Sequence, residues 1–194
     1  ECGLDTETTV VTKPEVTTHA KAAVAIGDRI SDTATVTGEL AARAGAKHQI
    51  VFRGYRGDAS LTGTPAAVCT DENLLFTTDP VPVTETGDVH SPEITALPDF
   101  GDTVWWVEEL SQRDEHRERV LHTGVCGLPG ETSTVQTPLV RTESAGSVEV
   151  GQPMFATAIV TGAFPDREGV AFRVCFAAFQ RRANGHLRCA PATE

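Results

Sequence analysis

Several side chains in this sequence fall where a β-strand should present only apolar groups, and each of them can hold or move a proton. In ISDTATVTG, strand alternation puts Ile30, Asp32, Ala34 and Val36 on one face and Ser31, Thr33, Thr35 and Thr37 on the other. A carboxyl at Asp32 must therefore be hydrogen-bonded or keep its proton. In TVWWVEEL, Val104, Trp106, Glu108 and Leu110 alternate with Trp105, Val107 and Glu109. Periodicity does not choose between the two rows, but one of the two glutamates lies beneath apolar neighbours. His122 in RVLHTG reads as a half-buried strand histidine, and Gln136 in STVQTP closes a terminal strand. In EVTTHA, Val16, Thr18 and Ala20 share a face while Thr17 and His19 point the other way. A carboxyl kept protonated by burial does acid work near neutral pH, and a histidine shuttles protons. Taken singly, each of these groups is equally a satisfied core polar residue. Their joint chemistry depends on whether the fold gathers them.

The elements that must do so are strands. Thr and Val crowd the chain, Met occurs once, and no long Leu/Glu/Lys/Ala helical period is present. Short apolar or alternating runs at 15–20, 29–37, 48–55, 73–78, 90–95, 103–110, 118–124 and 131–136 are separated by Gly, Pro, Asp and Asn. This predicts an all-β chain, an immunoglobulin-like β-sandwich. The charged stretch SQRDEHRER at 111–119 reads as a hairpin tip, and His116 and His122 beside it read as solvated histidines and not as a metal pair.

Over 194 residues, 16 basic against 27 acidic side chains give a net charge of −11 and a pI near 4.9, which argues against nucleic-acid binding. No run approaches the roughly 18 apolar residues of a membrane span, so no membrane insertion is expected in this stretch, and an export signal or membrane anchor would lie outside it. Five cysteines, at 2, 69, 126, 175 and 189, form neither a CxxC pair nor a cluster with histidine at zinc spacing. No metal and no cofactor is expected. In an acidic, Thr-rich β chain the cysteines point to disulfides and an extracellular setting.

An internal repeat sets the boundaries. ECGLDTETTVVTKP at the start resembles VCGLPGETSTVQTP at 125–138, placing Cys2 over Cys126, Glu7 over Glu131 and Pro14 over Pro138. The same shift of 124 residues superposes the segment from Pro14 on that from Pro138, with Thr18 over Thr142, Gly27 over Gly151, and Thr33 to Gly38 over Thr157 to Gly162. Residues 1–13 therefore read as the terminal strand of a preceding module, 14–137 as a complete module, and 138–194 as an incomplete following one. Cys69 and Cys126 fall within one complete copy; Cys126 recurs as Cys2 at the 124-residue shift and Cys189, 120 residues beyond Cys69, reads as the counterpart of Cys69, which predicts a disulfide between Cys69 and Cys126. The pairing of Cys2, Cys175 and Cys189 stays open, with Cys175 to Cys189 across a hairpin as one arrangement.

In order, TTHA with Thr18, SDTATVTGEL with Asp32, VWWVEEL with Glu108, LHTG with His122 and VQTP with Gln136 resemble the Thr-Gln ester-bond domains of Gram-positive cell-surface adhesins. The resemblance implies that Thr18 attacks the carboxamide of Gln136, that ammonia leaves, and that Asp32, Glu108 and His122 assist the proton transfers. Thr17 stands as the alternative nucleophile, and Glu109 as the alternative acid. The event occurs once per chain, so it is autocatalytic maturation and not turnover. A module lacking the glutamine or the aspartate should not close by this route. Thr12 stands in the place of Gln136 in the preceding copy, and Ala156 in the place of Asp32 in the following one.

The function so implied is mechanical: a stalk module of an extracellular, cell-wall-anchored surface adhesin, in contact with neighbouring repeats of its own chain. The alternative is an immunoglobulin-like module that binds a host protein or glycan without a cross-link. Its acidic loops, CTDEN with Asp71 and Glu72 and PDFGD with Asp99 and Asp102, lack the spacing of a calcium loop. A hydrolase built from Thr18, His122 and Asp32 is a third reading, but no G-x-S-x-G elbow accompanies it.

Overall fold

Alternation of apolar and Thr-rich positions decides which runs become strands and which face each one buries. In the computed structural model, residues 13–40, 45–57, 68–115, 117–164 and 171–178 are described. The chain forms two compact units, the first running to Thr137 and the second beginning at Pro138.

In the first unit, one sheet orders β1 (Glu15–Ala20), β4 (Asp32–Thr37) and β8 (Gly87–His90) antiparallel. The other runs β2 (Ala23–Ala25), β12 (Thr132–Gln136), β10 (Thr103–Arg113), β5 (Lys47–Gly57) and β6 (Leu74–Thr77). In addition, β11 (Glu118–Thr123) pairs with β10 and β7 (Val81–Val83) with β5. A short ladder joins β3 (Arg29–Ile30) to β9 (Ile94–Thr95). The fold is an all-β sandwich, with a core of Val16, Ile30, Ala34, Val36, Ile50, Phe52, Val104, Trp106, Leu110 and Val135.

β5 and β10 form the spine, paired from Lys47↔Arg113 to Gly57↔Thr103. At its centre Trp106 is fully buried, and its indole N–H donates to Ser133 Oγ at 3.0 Å, so the largest core side chain also has its polar atom satisfied. Gly57 lies beneath the Trp105 ring, where a Cβ would come within 2.7 Å of an indole carbon.

The Cys69–Cys126 disulfide is present and spans 57 residues. Closing a loop of that length stabilises the fold by about 4 kcal/mol in the chain-entropy account. Cys175 is exposed and, among the described residues, has no disulfide partner. Cys2 and Cys189, and with them a Cys175 to Cys189 bridge, lie outside the described residues, as does His116.

Several boundaries differ from the runs read in the sequence. The run at 29–37 breaks at Ser31, whose carbonyl accepts from the Lys21 amide. The run at 90–95 splits into β8 and β9 around Pro92. β2 and β7 are three residues each, too short for alternation to mark, and the hairpin tip narrows to the residues between Arg113 and Glu118.

In the second unit, β13 (Leu139–Ser144) pairs with β14 (Ala156–Thr161) from Leu139↔Thr161 to Ser144↔Ala156. This is the register of β1 with β4, Glu15↔Thr37 to Ala20↔Asp32, with every residue number raised by 124. Gly27 and Gly151 both adopt φ 92°, which glycine alone adopts without strain, so the turns repeat with the ladders. β13 is exposed along its whole length.

Candidate functional site

The β1–β4 ladder places Thr18 opposite Ala34 and Ala20 opposite Asp32. Thr18 and Asp32 are thus diagonal neighbours on a shared face. Thr18 is half-buried between buried Val16 and Ala20, so its hydroxyl points toward the core. There it donates a hydrogen bond of 2.5 Å to Oε1 of Glu131, a residue 113 positions away in sequence. Glu131 closes the 3-10 turn Pro129–Glu131 and leads directly into β12; it is 5% exposed.

Glu108 lies on β10, flanked by buried Trp106 and Leu110, and is 1% exposed. His122, on β11 opposite Leu110, brings Nε2 to 3.3 Å from Glu108 Oε1. Beyond it, Gly124 donates its amide to the Glu108 carbonyl at 2.8 Å, and a Cβ on Gly124 would stand 2.6 Å from the Glu108 carboxyl carbon. The absence of a side chain there is what gives the carboxyl its room. Gly124→Ala is accordingly expected to displace the Glu108 carboxyl and destabilise the first unit by about 1–3 kcal/mol, read from denaturant midpoints.

Burial sets the charges. Asp32, 1% exposed, has its amide held by Ser91 Oγ at 2.9 Å, and its Oδ1 accepts from the Thr33 amide at 2.8 Å. Asp32 Oδ2, Glu108 Oε2 and Glu131 Oε2 are buried without a hydrogen-bond partner among the described residues. Three such carboxyls cannot all ionise together. Burial raises Asp32 to about 6, against the opposing Thr33 amide and with help from the neighbouring Glu131 charge. Burial raises Glu108 to about 8, with repulsion from Glu131 and then Asp32 adding to it. Glu131 is raised by burial, while the Thr18 hydrogen bond draws it down. His122 is lowered, first by burial and then by Lys13. Near neutral pH, Asp32 is therefore largely a carboxylate, Glu108 largely an acid and His122 largely neutral. Environments that push two carboxyls apart in this way assign a base and an acid.

The same shifts fix a pH dependence. Asp32 and Glu108 titrate higher folded than unfolded, so they favour the folded state at low pH, and that contribution is lost as pH rises through about 6 and then about 8. His48 and His122, held low by burial, act oppositely and only as pH falls below about 6.5. A Thr18→Val chain, which keeps the acid cluster, is expected to lose on the order of a few kcal/mol between about pH 6.5 and pH 9. Denaturant midpoints that stay level across that interval would contradict this.

Of the residues singled out from the sequence, Thr18, Asp32, Glu108 and His122 join one cluster. Thr17 is exposed, and Glu109 is half-exposed with its carboxylate 3.5 Å from Arg53. Gln136 does not join. In β12, Ser133 and Val135 face inward, so strand parity turns Gln136 out to an exposed position. It lies five residues beyond Glu131, roughly 16 Å along an extended chain. Glu131, in contrast, joins the cluster although the sequence pattern marks it only as the opening residue of a candidate strand. Its signal is its recurrence as Glu7 in the repeat. Among the described residues no group of three or more His, Cys, Asp or Glu could hold a metal ion. No described helix is long and apolar enough to cross a membrane. Neither a scan against protein-family models nor a search of curated proteins finds a match to the chain.

Proposed function

We propose that residues 14–137 form a load-bearing stalk module of an extracellular, cell-wall-anchored surface adhesin, tied internally by the Cys69–Cys126 disulfide and by an ester made once at the Thr18 hydroxyl. The observation that carries this reading is the cluster itself. A threonine hydroxyl on the first strand donates into a buried set of carboxyls that includes a base, an acid and a histidine, at the junction with the last strand. A hydroxyl is a weak nucleophile unless a base takes its proton, and fixed geometry supplies effective concentrations of about 10⁵–10⁸ M. The reaction consumes its own groups and leaves no site for a second cycle, so the module matures and does not turn over. Repeats in tandem give such a module neighbours of its own kind along the stalk.

The reading is tested by unfolding the full chain with its disulfide reduced. Closing a loop of the 113-residue separation of Thr18 from Glu131 would contribute about 5 kcal/mol. Thr18→Val is therefore expected to lower stability by about that amount, against about 1 kcal/mol for the lost hydrogen bond alone. Equal stability of the two chains would sink the cross-link.

A further inference from the structure

We propose that Glu131, and not Gln136, is the acyl partner of Thr18, and that the ester forms by loss of water. The inference rests on the reading of Thr18 as a nucleophile and names what it attacks. Thr18 Oγ1 is already hydrogen-bonded at 2.5 Å to Glu131 Oε1, so only that hydrogen bond and one C–O bond separate the attacking oxygen from the carboxyl carbon. A Cβ on Gly130 would stand 3.4 Å from the Thr18 carbonyl oxygen, so the turn carrying Glu131 packs close against β1. The carboxamide of Gln136 is on the solvent side of β12. Within the repeat, the counterpart of Glu131 is again a glutamate, Glu7, whereas the counterpart of Gln136 is Thr12.

The step balances without any outside reagent. Thr18 Oγ bonds to Glu131 Cδ while its proton passes to the Asp32 carboxylate, giving a tetrahedral centre. Glu108 gives its proton to the departing hydroxyl, the Cδ–O bond breaks, and water leaves. The proton on Asp32 restores Glu108 by way of the water or His122, so that one hydroxyl and one carboxylic acid become one ester and one water. An acid and an alcohol in free solution do not go to completion in water. Here the effective concentration of the hydroxyl, about 10⁵–10⁸ M when geometry is fixed, exceeds that of water by orders of magnitude. Burial of Glu131 also favours its neutral acid, the form that can be attacked.

Two measurements on the full, reduced chain test this. Proteolysis of the wild type should yield one branched peptide joining the Thr18 and Glu131 segments, with the intact mass one water below that of the sequence. Glu131→Gln should close the same link by losing ammonia instead, so that the two mature proteins have equal mass. An ammonia loss in the wild type, with Gln136 in the branched peptide, overturns this proposal and leaves the ester reading standing. An unmodified wild type beside a linked Glu131→Gln chain overturns the water route. Full sequence mass in both chains overturns the proposal and the ester reading together.

Discussion

Pulled between handles at Pro14 and Thr137 with the disulfide reduced, the module is expected to lengthen by only about 40 Å, where a chain free of cross-links would release about 440 Å at about 3.6 Å per residue. The difference follows from where the link sits. Thr18 is on the first strand and Glu131 at the entry to the last, so with the proposed ester formed, force entering at the ends would reach it after a few residues and never load the β5–β10 spine. In Thr18→Val the same pull should peel β1 from β4 and then open the sandwich, with the full release. With the disulfide left intact, that variant should still hide the chain from Cys69 to Cys126, a separation of 57 residues, which separates the two links in one experiment. Full release from the reduced wild type would remove the mechanical reading.

Glu108→Gln and Asp32→Asn should each leave the sheets in place and slow cross-linking about 10²–10⁴-fold, the usual worth of a positioned acid or base. Glutamine keeps the volume of Glu108 and its approach to His122 but has no proton to give. Asparagine keeps the Thr33 and Ser91 hydrogen bonds of Asp32 but accepts no proton from Thr18. The wild-type rate should be bell-shaped, falling below about pH 6 as Asp32 protonates and above about pH 8 as Glu108 loses its proton. The profile is read from the mass shift against time after refolding from denaturant. A variant that cross-links at the wild-type rate would remove that residue from the proton path.

Asp32 and Thr18 are legible in the sequence because a six-residue strand of strict alternation assigns its faces, and β4 buries Asp32, Ala34 and Val36 as the pattern requires. Glu108 is legible only as one of a pair. Trp106 and Val107 are both buried, so both faces of β10 are covered there and the period of two carries no choice. The disulfide is legible because the repeat assigns both cysteines to one copy. Glu131 is not, for a physical reason. It lies in a 3-10 turn, where alternation says nothing about facing, and its burial comes from the packing of that turn against β1. The facing of Gln136 is marked in the sequence by Val135 alone, because Ser133, the other inward residue of β12 and the partner of the Trp106 indole, does not look inward from its type.

The covalent closure of the module is tested most directly by the intact mass of the wild-type chain after disulfide reduction, measured finely enough to separate water from ammonia. The wild type is expected to fall below the mass of its sequence by one water, while Thr18→Val should match the mass of its own sequence. A wild-type chain of full sequence mass would contradict the closure.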